Sequence, residues 1–198
     1  MENLKILQVV GYKNSGKTTL ISRWTELLSK NNRNVAVIKH HGHGGTLEQP
    51  LSETDSMRYM QAGSASSIVF DDQLIQLHMK QQPPSLSTAI EMAKLAGPEL
   101  ILIEGVKAAQ YQKIVLLRNI DDWQALKSLK HTLAVIVHED AACDNAIYMN
   151  ITDEDSDGAN DRSIIWMKRD DREAINRFLL RWMDEANQAE NCSDEVIS

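Results

Sequence analysis

Gly11-Tyr12-Lys13-Asn14-Ser15-Gly16-Lys17-Thr18 decides the fold of this 198-residue chain. The stretch fits G-x-x-x-x-G-K-[ST], the phosphate-binding P-loop or Walker A motif, at every constrained position. Its flanks agree with it. Leu4, Ile6, Leu7, Val9 and Val10 make the short apolar run of a buried parallel strand, and Leu20, Ile21, Trp24, Leu27 and Leu28 recur at helical spacing. Strand, glycine loop and helix are what triphosphate chemistry needs, because loop N–H groups and the positive helix end hold phosphate oxygens. In this motif Lys17 reaches the terminal phosphates and the Thr18 hydroxyl ligates Mg²⁺. The sequence therefore predicts a nucleoside-triphosphate site.

Beyond the loop, the chain reads as alternating strands and helices. Val35–Ile38, Leu100–Ile103, Ile114–Leu117 and Leu133–Val137 are expected strands, with a shorter one at Ile147–Ile151. Helices are expected from Thr54 or Asp55 to Gln61, over Leu86–Leu95 and Asp122–Leu129, and around Ile175, Phe178, Leu179, Trp182 and Met183. Ser67–Phe70 and Leu74–Met79, separated by Asp71-Asp72, suggest a hairpin. The alternation implies an α/β fold with a mostly parallel sheet and helices on both faces. No internal linker or repeat is evident, so residues 1–186 read as one nucleotide-binding domain and 187–198 as a polar tail. Trp24 and Trp182 lie on apolar helix faces and read as core.

Composition bounds the partners. A formal net charge of −7 with no basic stretch argues against general nucleic-acid binding. Cys143 and Cys192 stand apart in no metal-binding spacing, as free thiols of a reducing cytoplasm do. No leader and no apolar segment of spanning length is present, so no membrane association is expected.

Glu104 is the principal acidic candidate. It follows four apolar residues at a strand's C-terminal end, where open α/β sheets bind ligands and where a P-loop protein holds its metal ion. Gly105 permits a sharp turn there. Asp55 is either a second metal-site carboxylate or only a helix cap. Lys39 and His40 emerge from the second strand beside the loop and could face phosphate or a partner. Lys107 and Lys113 flank Glu104 and could neutralise an anion, or be ordinary surface lysines. His40, His41 and His43 lack a fourth ligand and the usual spacing of a zinc site. Asp153, Asp155 and Asp157 precede Gly158, yet Ile164 stands where a calcium loop wants glutamate, so 153–161 reads as a solvated loop. The guanine-reading N-K-x-D is absent; His138-Glu139-Asp140 follows the strand where such a reader often sits.

One ordered set is narrower than the P-loop alone: Gly11 to Leu20, Val37-Ile38-Lys39-His40, Asp55-Ser56, Ala62-Gly63, Leu102-Ile103-Glu104-Gly105-Val106-Lys107 and Lys113-Ile114-Val115-Leu116. Over residues 4 to about 140 it resembles the molybdopterin-guanine dinucleotide biosynthesis protein B (MobB) family. The resemblance implies a three-layer P-loop NTPase fold and a homodimer that binds GTP with Mg²⁺ and hydrolyses it weakly. It also implies a partner, a MobA-type guanylyltransferase that attaches GMP to molybdopterin, and contact with other molybdopterin-handling enzymes. The matched motifs assign phosphate and cofactor binding to Gly11, Asn14, Ser15, Gly16, Lys17, Thr18, Thr19, Lys39, His40 and Lys107. Lys17 and Glu104 take the catalytic roles, and Thr18, Glu104 and Asp55 the metal. Gly42, Gly44, Ser64 and His138-Glu139 depart from the family pattern. A small-metabolite kinase and a binding module without hydrolysis are the competing readings. The stretch 81–110 lacks the arginines of a kinase lid.

Overall fold

The computed structural model describes residues 4–41, 47, 53–80, 85–138 and 164–191. The expected strand at Ile147–Ile151, the acidic loop 153–161, both cysteines, His43 and Glu139-Asp140 lie outside those residues. Contacts within the chain gather it into two compact units, Met1–His40 with Ala93–Ser198, and His41–Met92. The sequence, lacking a linker, had read as a single domain.

The first unit is built on a six-stranded sheet in the order β2-β5-β1-β6-β7-β8, with every neighbouring pair parallel. Its strands are β1 (Lys5–Gly11), β2 (Val35–Lys39), β5 (Leu100–Glu104), β6 (Gln112–Leu117), β7 (Thr132–Val137) and β8 (Ile165–Lys168). Its helices are α1 (Lys17–Lys30), α4 (Ile120–Leu126) and α5 (Arg172–Asn191). The period of two along each strand divides the core into two layers. Val9, Ile114, Leu116 and Ile136 pack against Leu20, Trp24 and Leu28 of α1 and against Ile175 and Leu179 of α5. The intervening Val10, Val115, Leu117 and Val135 pack against Trp123 and Leu126 of α4. Helices thus cover both faces of the sheet, giving three layers. The inner strands β5, β1, β6 and β7 are buried on both sides and therefore read as nearly continuous apolar runs, whereas the outer strands β2 and β8 keep exposed residues.

The second unit holds α2 (Asp55–Gln61) and the antiparallel hairpin of β3 (Ser66–Phe70) and β4 (Ile75–Met79). Asp71 fixes its turn, accepting the N–H groups of Gln73 at 2.8 Å and Leu74 at 2.7 Å. Thr54 stands at the N-cap position of α2, with Asp55 in the first turn. Helix α3 (Leu86–Lys94) ends as expected at Gly97, whose φ of 61° suits glycine.

Two findings depart from the sequence reading. Strand β8 was not expected: four residues after a polar stretch carry little periodic signal. Its Met167 nevertheless joins one core layer while the Trp166 ring meets that of Trp123 edge-on at 5.0 Å. Lys113, a candidate for meeting an anion, sits instead near the start of β6, away from the edge that carries the P-loop. Its side chain is 1% exposed and its Nζ donates to the carbonyls of Ala109 at 2.5 Å and Tyr111 at 2.8 Å. It tethers the passage from β5 to β6. Lys113→Ala is expected to cost about 2–4 kcal/mol, since it empties a packed site and strands two carbonyls; urea denaturation measures it.

Candidate functional site

The phosphate loop connects β1 to α1, and its geometry is set by residues that tolerate positive φ. Asn14 has φ 64° and Gly16, the N-cap of α1, has φ 92°. Gly11 is required for space: a Cβ there would lie 2.6 Å from the Leu116 carbonyl oxygen and 2.5 Å from Ser15 Oγ. Any side chain would push the loop off β6. Ser15 is buried beneath the loop, and its N–H donates to the Tyr12 carbonyl at 3.2 Å.

Parallel register brings the other candidates to the same edge. Val9 pairs with Glu104, and Glu104 with Lys39, so the end of β5 lies between β1 and β2. Thr18 Oγ1 donates to the Glu104 carboxylate, 3.2 Å from Oε1 and 3.1 Å from Oε2. Lys39 Nζ stands 3.4 Å from Glu104 Oε1. Glu104 itself is 8% exposed, a carboxylate placed deep in the site and not a solvated strand end. The His40 N–H donates to the Glu104 carbonyl at 3.2 Å, which holds the exit of β2 beside Gly105. Gly105 and Val106 both have positive φ, 94° and 54°. Gln8, fully buried in β1, clamps that turn by donating from Nε2 to the Gly105 carbonyl at 3.1 Å and the Val106 carbonyl at 2.8 Å.

Cations surround this carboxylate. Lys17 Nζ donates to the Tyr12 carbonyl at 2.6 Å. Burial is the main reason its pKa falls below the ordinary lysine value. Glu104 opposes the shift, while Lys107, Lys39 and Arg118 add to it. Lys107 lies over the Tyr12 ring, 4.0 Å from its centroid, and Arg118 near the same ring at 5.2 Å. Thr19 is exposed on the first turn of α1.

Arg118 was missed in the sequence. It follows β6 and makes a bidentate pair with Asp122, Nε to Oδ2 at 2.9 Å and NH2 to Oδ1 at 2.8 Å. The pairing holds the Asp122 carboxyl below the usual range, and its NH1 reaches the Lys13 carbonyl at 3.3 Å. Helix α4 thereby braces the phosphate loop. The signal was available: an arginine at a strand's C-terminal end with an aspartate four residues on.

Asp55 belongs to the second unit. Its side chain is exposed and lies 3.7 Å from Arg58 NH1. Among the described residues, no group of three or more His, Cys, Asp or Glu side chains is gathered as a metal site. A Mg²⁺ ion suits Thr18 and Glu104 by donor chemistry, a hydroxyl and a carboxylate being the hard oxygen ligands it prefers. Their mutual hydrogen bond shows that the two oxygen groups converge. Held there, the ion would supply positive charge to offset that of an anionic ligand.

A glycine loop between β1 and α1, with a buried carboxylate at the end of the adjoining strand, defines a P-loop nucleotide-binding protein of the three-layer α/β class. The chain belongs to the family described as Molybdopterin guanine dinucleotide synthesis protein B, whose model matches residues 6–139. It is 37% identical over 131 residues to the probable molybdopterin-guanine dinucleotide biosynthesis adapter protein of Bacillus subtilis, covering 66% of this chain and 75% of that one. To the Haemophilus influenzae molybdopterin-guanine dinucleotide biosynthesis adapter protein it is 31% identical over 117 residues, 59% of this chain and 65% of the other. The crystal structure of Bacillus subtilis MobB superposes with a TM-score of 0.68 at 31% identity, over 90% of this chain and 98% of that one. A MobB homologue from Bacillus stearothermophilus superposes with a TM-score of 0.64 at 25% identity, over 91% and 98%.

Proposed function

We propose that this chain is a GTP-binding adapter of molybdopterin-guanine dinucleotide biosynthesis, acting in the cytoplasm as a homodimer that assists a MobA-type guanylyltransferase. One observation carries the nucleotide part of the reading: the Thr18 hydroxyl meets the buried Glu104 carboxylate at the mouth of the phosphate loop. That pair is where a P-loop protein holds Mg²⁺ against the terminal phosphates. Family membership supports the biosynthetic role. Gly11, Asn14, Ser15 and Gly16 shape the loop, Lys17 and Thr19 meet phosphate, and Lys39, His40 and Lys107 border it. Asp55 enters the metal site on family resemblance. Hydrolysis is slow in this reading, with water attacking the γ-phosphate in line and Lys17 stabilising the charge that develops.

The homodimer has support in the second unit. A two-stranded hairpin is marginal alone, and this one exposes Ile68, Phe70, Leu74 and Ile75, with Phe70 at 77% and Ile75 at 71%. Pairing with the same hairpin of a second copy would cover these side chains and satisfy an open strand edge. Ile75→Asp is expected to shift the protein from dimer to monomer in sedimentation equilibrium with its helical circular dichroism intact. A wild-type monomer would contradict the dimer.

The adapter role is tested by reconstituting the guanylyltransferase with molybdopterin, GTP and Mg²⁺. Adding this protein should raise the yield of the guanine dinucleotide, and the Lys17→Ala form should not. Equal yields with and without the protein would overturn the reading.

A further inference from the structure

A second basic group lies on the opposite side of the phosphate loop from Glu104, and the P-loop motif does not account for it. Arg169 follows β8, where its N–H donates to the Val137 carbonyl at 2.9 Å. Its guanidinium lies against the loop, one terminal nitrogen foremost: a Cβ on Gly16 would stand 2.8 Å from Arg169 Cζ and nearer still to that nitrogen. Arg23 is four residues beyond Thr19 and so lies below it on the same face of α1. Its Nε is buried and has no hydrogen-bond partner among the described residues. Gly16, Thr19, Arg23 and Arg169 wall a small cavity of about 30 Å³ floored by Leu116 and Ile136. Burial lowers the Arg23 pKa first, followed by the charges of Arg172 and Arg169; no carboxylate of the described residues is among the influences on it. Cations held together over an apolar floor, one with an unsatisfied donor, call for an anion.

The sheet fixes which anion. Thr18 and Glu104 mark the metal-bound, terminal end of a triphosphate, on the side of β1 toward β5 and β2. The remainder of the nucleotide then runs past Thr19 toward the side of β6, β7 and β8, where Arg169 waits. We propose that Arg169, backed by Arg23, is the arm of the nucleotide site that grips the α-phosphate of a guanosine di- or triphosphate. The inference rests on the GTP-binding reading above. A guanidinium fork suits two oxygens of one phosphate, which a lysine point charge does not match. Thr19 supplies a hydroxyl on the same side.

Calorimetric titration of the full chain with GTP, GDP and GTPαS, in Mg²⁺, tests it. Arg169→Ala should weaken GTP and GDP alike, by about 10- to 100-fold, because both carry the α-phosphate. Arg169→Lys should recover part of that loss. Wild type should bind GTPαS more weakly than GTP, and Arg169→Ala should bind the two equally, a change that a merely structural role would not produce. Should Arg169→Ala fail to fold, Arg169→Gln keeps a stem against Gly16 and reads the same GTPαS-to-GTP ratio. Unaltered GTP affinity, or a GTPαS-to-GTP ratio unmoved by the substitution, overturns the proposal while leaving the P-loop reading standing. A wild-type protein that binds neither GTP nor GDP overturns both.

Discussion

Lys17→Ala should abolish measurable GTP binding, with a loss of at least about 100-fold in calorimetric titration. The Lys17 ammonium is partly buried at the loop, where it donates to the Tyr12 carbonyl at 2.6 Å. A charge-assisted contact to phosphate contributes about 1.5–3 kcal/mol, and a partly buried site strengthens it. The pH dependence follows from the depressed pKa of Lys17, caused first by burial. A bound phosphate favours the ammonium, so the complex has the higher pKa and binding takes up a proton. Affinity is therefore full below the free-protein pKa of Lys17 and falls as pH rises through it. The fall should begin at lower pH than an ordinary lysine would give, and Lys17→Ala should show no such dependence. A substitution that leaves GTP affinity intact would remove the phosphate loop from the account.

Glu104→Gln should separate nucleotide binding from its metal dependence. Glutamine has the same shape and still accepts the Thr18 hydroxyl, so the fold at the end of β5 is kept. It removes the one carboxylate that Thr18 and Lys39 share. With that negative charge gone, Mg²⁺ loses an anionic ligand, and the gain in GTP affinity on adding Mg²⁺ should drop by about 10-fold or more. In EDTA the variant should bind GTP at least as well as wild type, because the Glu104 charge then no longer faces the phosphates. Phosphate release should fall with the metal dependence. Titrations with and without Mg²⁺ measure both effects, and an unchanged Mg²⁺ response would exclude Glu104 from the metal site.

The phosphate loop, α1 and the strands flanking β1 were legible because each is local: a fixed spacing, a helical stripe, or a run of aliphatic residues. Glu104 was legible for the same reason, standing at the boundary between an apolar run and a glycine. Other residues depended on facts that no local pattern carries. Lys113 and Glu104 lie on strands on either side of β1, and only the register shows that one is near a strand start and the other at a strand end. Burial then turns Lys113 into a tether for carbonyls. Gln8 reads as a polar interruption in a strand until the Gly105 turn is seen beside it. Strand β8 is too short to announce itself, and with it Arg169 went unnoticed. The rule that strand ends carry ligands, applied to Glu104, reaches Arg118 and Arg169 once β6 and β8 are placed. The start of the second unit coincides with the glycine-rich, polar stretch 42–53, a pattern that reads as a surface loop as readily as a border between units.

The most direct measurement of the central claim is a parallel titration with GTP and ATP in Mg²⁺, following affinity and phosphate release together on the same samples. The account predicts tighter binding of GTP, slow phosphate release, and loss of both in Lys17→Ala. Preference for ATP, absence of binding, or fast turnover that requires a phosphate acceptor would contradict it.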